Sequence, residues 1–215
     1  MKKFIFGVLL CCTLTVMLTV SVCAADKFTV YKDKTSSFRG IRSTLTKVDN
    51  FVAGDTGVVG TYPTRKGVIL ITSSGSVARV VGHAAIVYSS GTVVESLANG
   101  VTIGRNNWYS SKETVAAVTP RDTTTAEDSK IANWCYKKVG KKYNYNYYNV
   151  STRNSFYCSH LIWSGYKDVL GIDFNTQAYD VGSIEAIGPL EFVRRYTREF
   201  FIVYMKNWNR NDVTD

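Results

Sequence analysis

From Gly67 to Ile103 the chain is written in short, closely spaced β-forming runs, and this constrains its fold more than anything else in it. Val68-Ile69-Leu70-Ile71, Val77-Ala78-Arg79-Val80, Ala84-Ala85-Ile86-Val87, Thr92-Val93-Val94-Glu95 and Val101-Thr102-Ile103 are separated only by Ser/Gly turns and Asn99-Gly100. Gaps this short leave no room for crossover helices, so the runs pair as an antiparallel meander. Val115-Ala116-Ala117-Val118 adds another β run. Helical signals then take over. Thr124-Thr125-Ala126-Glu127 reads as a capping box that starts a helix over about Thr125 to Val139, closed by Gly140. A second helix runs from about Tyr157 to Leu170, stopped by Gly171, with Cys158, Leu161, Ile162, Gly165 and Val169 along one side. Gly188-Pro189 opens a short helix carrying Leu190, Phe192 and Val193, and Phe200 to Tyr204 is apolar enough to be a strand central in a sheet. The expected class is α+β: a barrel-like antiparallel meander packed against a helix.

Domain organisation follows from composition. Lys2-Lys3, an apolar stretch from Phe4 to Val22 and the small residues Cys23-Ala24-Ala25 read as a secretory signal peptide over residues 1–25. Its apolar length also suits an uncleaved N-terminal anchor, which stands as the alternative. Residues 26–60 form an N-terminal extension, 61–206 a single hydrolase-sized domain and 207–215 a polar, loose C-terminal tail. The whole chain of 215 residues carries a formal charge of +9, which losing Lys2 and Lys3 with the leader reduces to +7. A basic exported protein attracts anionic partners such as wall polymers or a membrane surface. Its cations are scattered and no nucleic-acid motif accompanies them, so nucleic acid is not an expected partner. Oligomeric state is left open.

Of five cysteines, Cys11, Cys12 and Cys23 leave with the leader, and Cys135 and Cys158 remain. They could form one disulfide in an oxidising compartment. Cys135, however, falls on the apolar stripe Ile131, Cys135, Val139, the usual place of a buried inert thiol. Cys158 stands at a helix start, where unpaired N–H groups and the positive dipole end favour a thiolate.

A thiolate nucleophile needs a base, and the chain has two histidines. His160 lies two positions after Cys158, about 200° around the same helix, so it points away and is expected on the surface or against a loop. His83 is left. It starts the strand Gly82-His83-Ala84-Ala85-Ile86-Val87, and the chain returns through Val93-Val94-Glu95. An odd-length hairpin loop would bring Glu95 directly opposite His83, with Cβ atoms about 5 Å apart, close enough to hold one ring nitrogen. The bland alternatives are a structural cysteine, a scaffold histidine and a solvated glutamate. The same three residues could instead be zinc ligands, although no paired Cys-x-x-Cys or His-x-x-x-His element closes such a site. No cofactor is otherwise implied.

Val139-Gly140-Lys141-Lys142-Tyr143-Asn144-Tyr145, followed by Phe156-Tyr157-Cys158-Ser159, resembles the nucleophile motif of NlpC-type papain-like cell-wall cysteine peptidases. Gly82-His83-Ala84-Ala85-Ile86-Val87 and its hairpin resemble their histidine strand. Here the histidine precedes the cysteine, which is similar to the circularly permuted branch, the permuted papain-like amidases of the YaeF/YiiX type. The likeness spans about Gly67 to Tyr204, including a Gly-x-Ile-Leu strand start and the Gly-Pro helix. It departs at His160, and at Val68 where an acidic residue often stands. The resemblance implies a papain-like permuted fold with Cys158 as nucleophile, His83 as general base and acid and Glu95 as orienter. It further implies an oxyanion site built by backbone N–H groups near Cys158 and Ser159, with Tyr143 lining it.

The expected function is a secreted cysteine amidase acting on cell-wall peptide through a thioester. Acyl transfer and hydrolysis of lipid esters or amides are alternatives within the superfamily. A non-catalytic wall- or lipid-binding module, suggested by the basic charge and the Tyr-rich segment Tyr143 to Tyr148, is the alternative outside it.

Overall fold

The computed structural model describes residues 57–74, 82–194 and 199–208. The leader, most of the extension, the Val77-to-Val80 run and the end of the tail lie outside the described residues. The elements in chain order are β1 (Val58–Gly60), β2 (Ile69–Thr72), β3 (His83–Ser89), β4 (Thr92–Leu97), β5 (Gly100–Arg105), α1 (Trp108–Ser111), β6 (Val115–Pro120), α2 (Thr125–Tyr136), β7 (Lys142–Tyr143), β8 (Ser155–Phe156), α3 (Cys158–Leu170), α4 (Glu191–Arg194) and β9 (Phe200–Lys206). Seven strands form one antiparallel sheet in the order β1-β9-β6-β2-β3-β4-β5, and β7 and β8 make a separate two-stranded parallel pair. The architecture is α+β, an antiparallel sheet packed against helices.

Alternation sorts each strand between two apolar layers. Ile69, Ile71, Ala84, Ile86, Val94, Ala116 and Val118 face the layer that contains α2 and α3. Val68, Leu70, Ala85, Val87, Val93 and Ala117 face a smaller layer closed by Trp108 and Tyr204. Both faces of the middle strands are therefore buried, which is why their runs are continuously apolar rather than alternating. Strand β9 lies between β1 and β6, so it has neighbours on both sides. Strand β1 falls within the segment assigned to the extension, and its pairing with β9 starts the sheet before residue 61. Trp208, the second residue of the segment assigned to the tail, is buried in the helix-side core, two residues past the end of β9.

Both long helices begin and end close to where their signals stand. Thr124 Oγ1 accepts from the Glu127 N–H while the Glu127 carboxylate accepts from the Thr124 N–H, the reciprocal capping box. The helix ends at Tyr136 rather than Val139, and the chain turns out to Gly140 at φ +88°. Helix α3 has Tyr157 as N-cap, Cys158 as its first residue and Gly171 in the left-handed region at its end. Val169 is exposed, whereas every residue from Cys158 to Tyr166 is buried, so the helix is enclosed on all sides in its first turns rather than along one stripe. The reason is that the sheet, α2, the Tyr-rich loop and the segment before α4 all pack against its N-terminal half.

Candidate active site

Three elements bring the site together at one end of the layered packing. Cys158 opens α3 and His83 opens β3, so both side chains stand where their elements begin and can meet beyond the sheet end. Gly82, at φ +77°, turns the chain into β3, and a side chain there would collide with Leu190 and Pro189 of the covering segment. Ser96 fixes the third element. Its hydroxyl donates to the Phe156 carbonyl at 2.6 Å, tying β4 to the residue two places before the thiol. The neighbouring Glu95 points to the opposite face of the same strand.

His83 Nε2 donates to Glu95 Oε2 across 2.7 Å. The register that allows this differs from direct opposition: Glu95 pairs with Ala85, two residues along from His83. The pairing shifts by one residue between Val87 and Ser89, at the turn; without that shift Glu95 would fall opposite Ile86, on the other face of the sheet. Because the offset is even, both side chains stay on one face, and the long carboxylate reaches the imidazole diagonally. With Nε2 committed to Glu95, Nδ1 is the ring nitrogen left for the thiol.

The electrostatics match that arrangement. Burial pushes the Cys158 thiol up, but a hydrogen bond and charge from His83, with backbone N–H groups of Ala84 and Ser159, outweigh it and hold the thiol below its ordinary range. Burial pulls His83 down, yet its bonds to Cys158 and Glu95 raise it to about 9. The pair is therefore poised as thiolate and imidazolium, the charged state each partner stabilises in the other. Cys135 behaves oppositely. It is free, fully buried under α3 with Sγ 3.7 Å from the Leu161 carbonyl, and burial pushes its thiol far up. Cys158 is free as well.

Cys158, Ser159, His83 and Tyr143 line a cavity of about 770 Å³, to whose walls, among the described residues, six tyrosines and no Asp, Glu, Lys or Arg contribute. The Tyr143 ring packs at 4.8 Å from that of Tyr145, and burial raises its phenol strongly, so it keeps its proton as a donor. The Ser159 hydroxyl is used elsewhere: it donates to the Ile187 carbonyl at 2.6 Å, while the Ile187 N–H donates to the Tyr157 hydroxyl. Only the backbone N–H of Ser159 is left to face the thiol. His160 is not on the surface. It is wholly buried between the rings of Phe156, Tyr157 and Trp163, and its Nε2 donates to the Val150 carbonyl at 2.9 Å, so it pins the Tyr-rich loop to α3. The expected loop contact holds, and burial follows because α3 has no solvent-facing side at that level.

Trp108 was not visible in the sequence as a site residue. Its indole stacks on His83 with centroids 5.6 Å apart and planes at 28°. Nothing in the spacing Asn106-Asn107-Trp108 indicates this, because the contact depends on α1 crossing the sheet face. Among the described residues no group of three or more His, Cys, Asp or Glu is arranged to hold a metal ion.

No curated protein matches the chain. Among solved structures, that of metalloprotein yiiX from Escherichia coli O157:H7 is similar over 71% of this chain and 92% of that one, at 15% identity and a TM-score of 0.42. Residues 69–181, which carry the histidine hairpin, the Tyr-rich loop and the cysteine helix in that order, match the model of the permuted papain-like amidase enzymes, YaeF/YiiX, of the C92 family, and the chain belongs to that family of cysteine peptidases and amidases.

Proposed function

We propose that this cysteine amidase acts through Cys158, His83 and Glu95, is exported by its N-terminal leader, and cleaves an amide bond of cell-wall peptide. The meeting of the thiol and the imidazole in one cavity, with the Glu95 carboxylate bonded to that imidazole, supports the reading of the mechanism. The Cys158 thiolate attacks the carbonyl carbon. As the tetrahedral intermediate collapses, the C–N bond breaks and imidazolium His83 gives its proton to the leaving amine. Neutral His83 then takes a proton from water, the hydroxide attacks the thioester carbonyl, and the C–S bond breaks to release the acid and the thiolate. Glu95 holds the ring in orientation and stabilises its charged form. Backbone N–H groups at the start of α3 face the developing oxyanion, each such donor being worth about 3 kcal/mol, and the protonated Tyr143 hydroxyl lines the same side.

The wall-peptide substrate draws on the leader and the basic charge, which favour an exported protein near anionic polymers. A second reading rests on the cavity itself. Apart from the reacting pair Cys158 and His83, the described walls are tyrosine, aliphatic and small side chains, which suit the apolar chain of an acylated amine or lipid ester better than a charged stem peptide. Assay of the chain lacking residues 1–25 against wall muropeptides and a series of N-acyl amides separates the two. Amine release from muropeptides supports the first, and activity rising with acyl length the second. Cys158→Ala abolishes either; turnover surviving that substitution overturns the mechanism.

A further inference from the structure

The geometry points to Gly104 as a positioning residue for the site: the missing side chain at this place in β5 is what lets the Glu95 carboxylate reach His83. The inference rests on the reading of Cys158, His83 and Glu95 as the working group. The registers Ala85 to Glu95, Glu95 to Thr102 and Val93 to Gly104 set His83, Glu95 and Gly104 on one face of the sheet. Gly104 is thus the diagonal neighbour of Glu95 on its outer side, as His83 is on its inner side. A Cβ built on Gly104 would stand 2.1 Å from Glu95 Oε1 and 3.1 Å from both Glu95 Cδ and Val93 Cγ2. The first contact is impossible, so one partner must move.

Which one moves follows from what each is attached to. The Val93 methyl contact needs only a few tenths of an ångström. The carboxylate, by contrast, is the far end of a flexible side chain, and it can swing away without moving the backbone. Its departure is costly to the site, because Oε2 of the same carboxylate makes the 2.7 Å bond to His83 Nε2. The glycine is not needed for its backbone. Gly104 is absent from the positive-φ residues, and β5 is the last strand of the sheet. A glycine within a strand ordinarily weakens it, and here the weakness leaves a slot for the carboxylate. A substitution at this position should therefore act on stability and on reactivity only through the Glu95–His83 bond.

The test is the rate of Cys158 alkylation by iodoacetamide, which needs no knowledge of the substrate, measured with thermal unfolding on the chain lacking residues 1–25. Gly104→Ala is expected to unfold no lower than Glu95→Gln, which loses the same ion pair, and to alkylate about tenfold more slowly than wild type near neutral pH, because the imidazolium that stabilises the thiolate has lost its carboxylate. Glu95→Gln is expected to slow alkylation to a similar degree. The double variant should be no slower than Glu95→Gln alone, since the two changes remove one interaction. Gly104→Ala at wild-type rate beside a slow Glu95→Gln overturns the role of Gly104 and leaves the site reading intact. Additive losses in the double variant, or an unfolding temperature for Gly104→Ala clearly below that of Glu95→Gln, overturn it too, because the glycine would then serve the fold. Unchanged alkylation in Glu95→Gln and His83→Ala together overturns the site reading itself, and the role of Gly104 with it.

Discussion

At Cys158 burial and partnership act in opposite directions, and partnership prevails. A thiol this enclosed would ordinarily stay protonated, as Cys135 does; the difference is His83 and two backbone N–H groups aimed at the sulfur. The imidazole in turn holds its proton to about 9. The pair titrates as a unit, so kcat/KM against pH should be bell-shaped. It rises as the pH climbs through the depressed ionisation of the thiol. It falls above about 9, where His83 loses the proton that the proposed mechanism gives to the leaving amine. In Glu95→Gln the alkaline limb should move to lower pH, because one of the groups raising His83 has gone. An alkaline limb that stays in place would show that Glu95 does not support the imidazolium. The residue identities were legible at this scale: a cysteine at a helix start, one histidine able to face it, and a carboxylate across the hairpin. Trp108 and the Ser96 tie to Phe156 were not, since neither contact has a sequence spacing that announces it.

Among the elements, the pair α2 and α3 decides where the thiol stands. Gly165 lies at their crossing, where an added Cβ would come within 2.9 Å of Ile131 Cγ2 and 3.3 Å of the Trp134 ring. Its glycine lets the helices approach closely, and the sequence placed it correctly on the packed side. Gly165→Val should overpack that contact and lower stability by about 1–3 kcal/mol, read as a fall in the urea midpoint. An unchanged midpoint would mean the helices separate there without cost. The capping box and Gly171 marked helix ends because those signals are local, involving a few neighbouring residues and the hydrogen bonds between them. The hairpin between β3 and β4 was harder. Its two strands are plain in the sequence, but Glu95 stands opposite Ala85 rather than His83, two residues away, because the turn and the one-residue irregularity past Val87 are set by how the strands twist together. An even error spared the site; an odd one would have put Glu95 on the helix side of the sheet.

Taken whole, the molecule encloses its cysteine helix so fully that even a histidine is buried there without a charge. Burial pushes His160 down to about 4, against the usual value near 6.5, and its Nδ1 has no hydrogen-bond partner, as befits the neutral ring. A base whose folded value is depressed contributes stability above its unfolded pKa and loses it as the pH falls toward the folded one. Between about 6.5 and 4 the unfolded chain therefore takes up a proton that the folded chain refuses, at a cost of about 3 kcal/mol. Comparison of urea midpoints at neutral pH and near 4.5 should show a smaller acid loss in His160→Gln, whose amide can still donate to the Val150 carbonyl. Equal losses in the two proteins would mean that His160 titrates normally.

What the sequence determined by itself were the properties carried by short stretches: a meander of strands, two capped helices with their ends, one cysteine at a helix start and the order of histidine before cysteine. Each depends on neighbours a few residues apart, where propensity and periodicity act directly. The tertiary structure decided which side chains share a space. It set the register that joins Glu95 to His83 diagonally, the stacking of Trp108 on that ring, the burial of His160 and the slot left by Gly104. These depend on how strands and helices distant in the chain settle against one another, and close packing admits only one such arrangement, which no local pattern specifies.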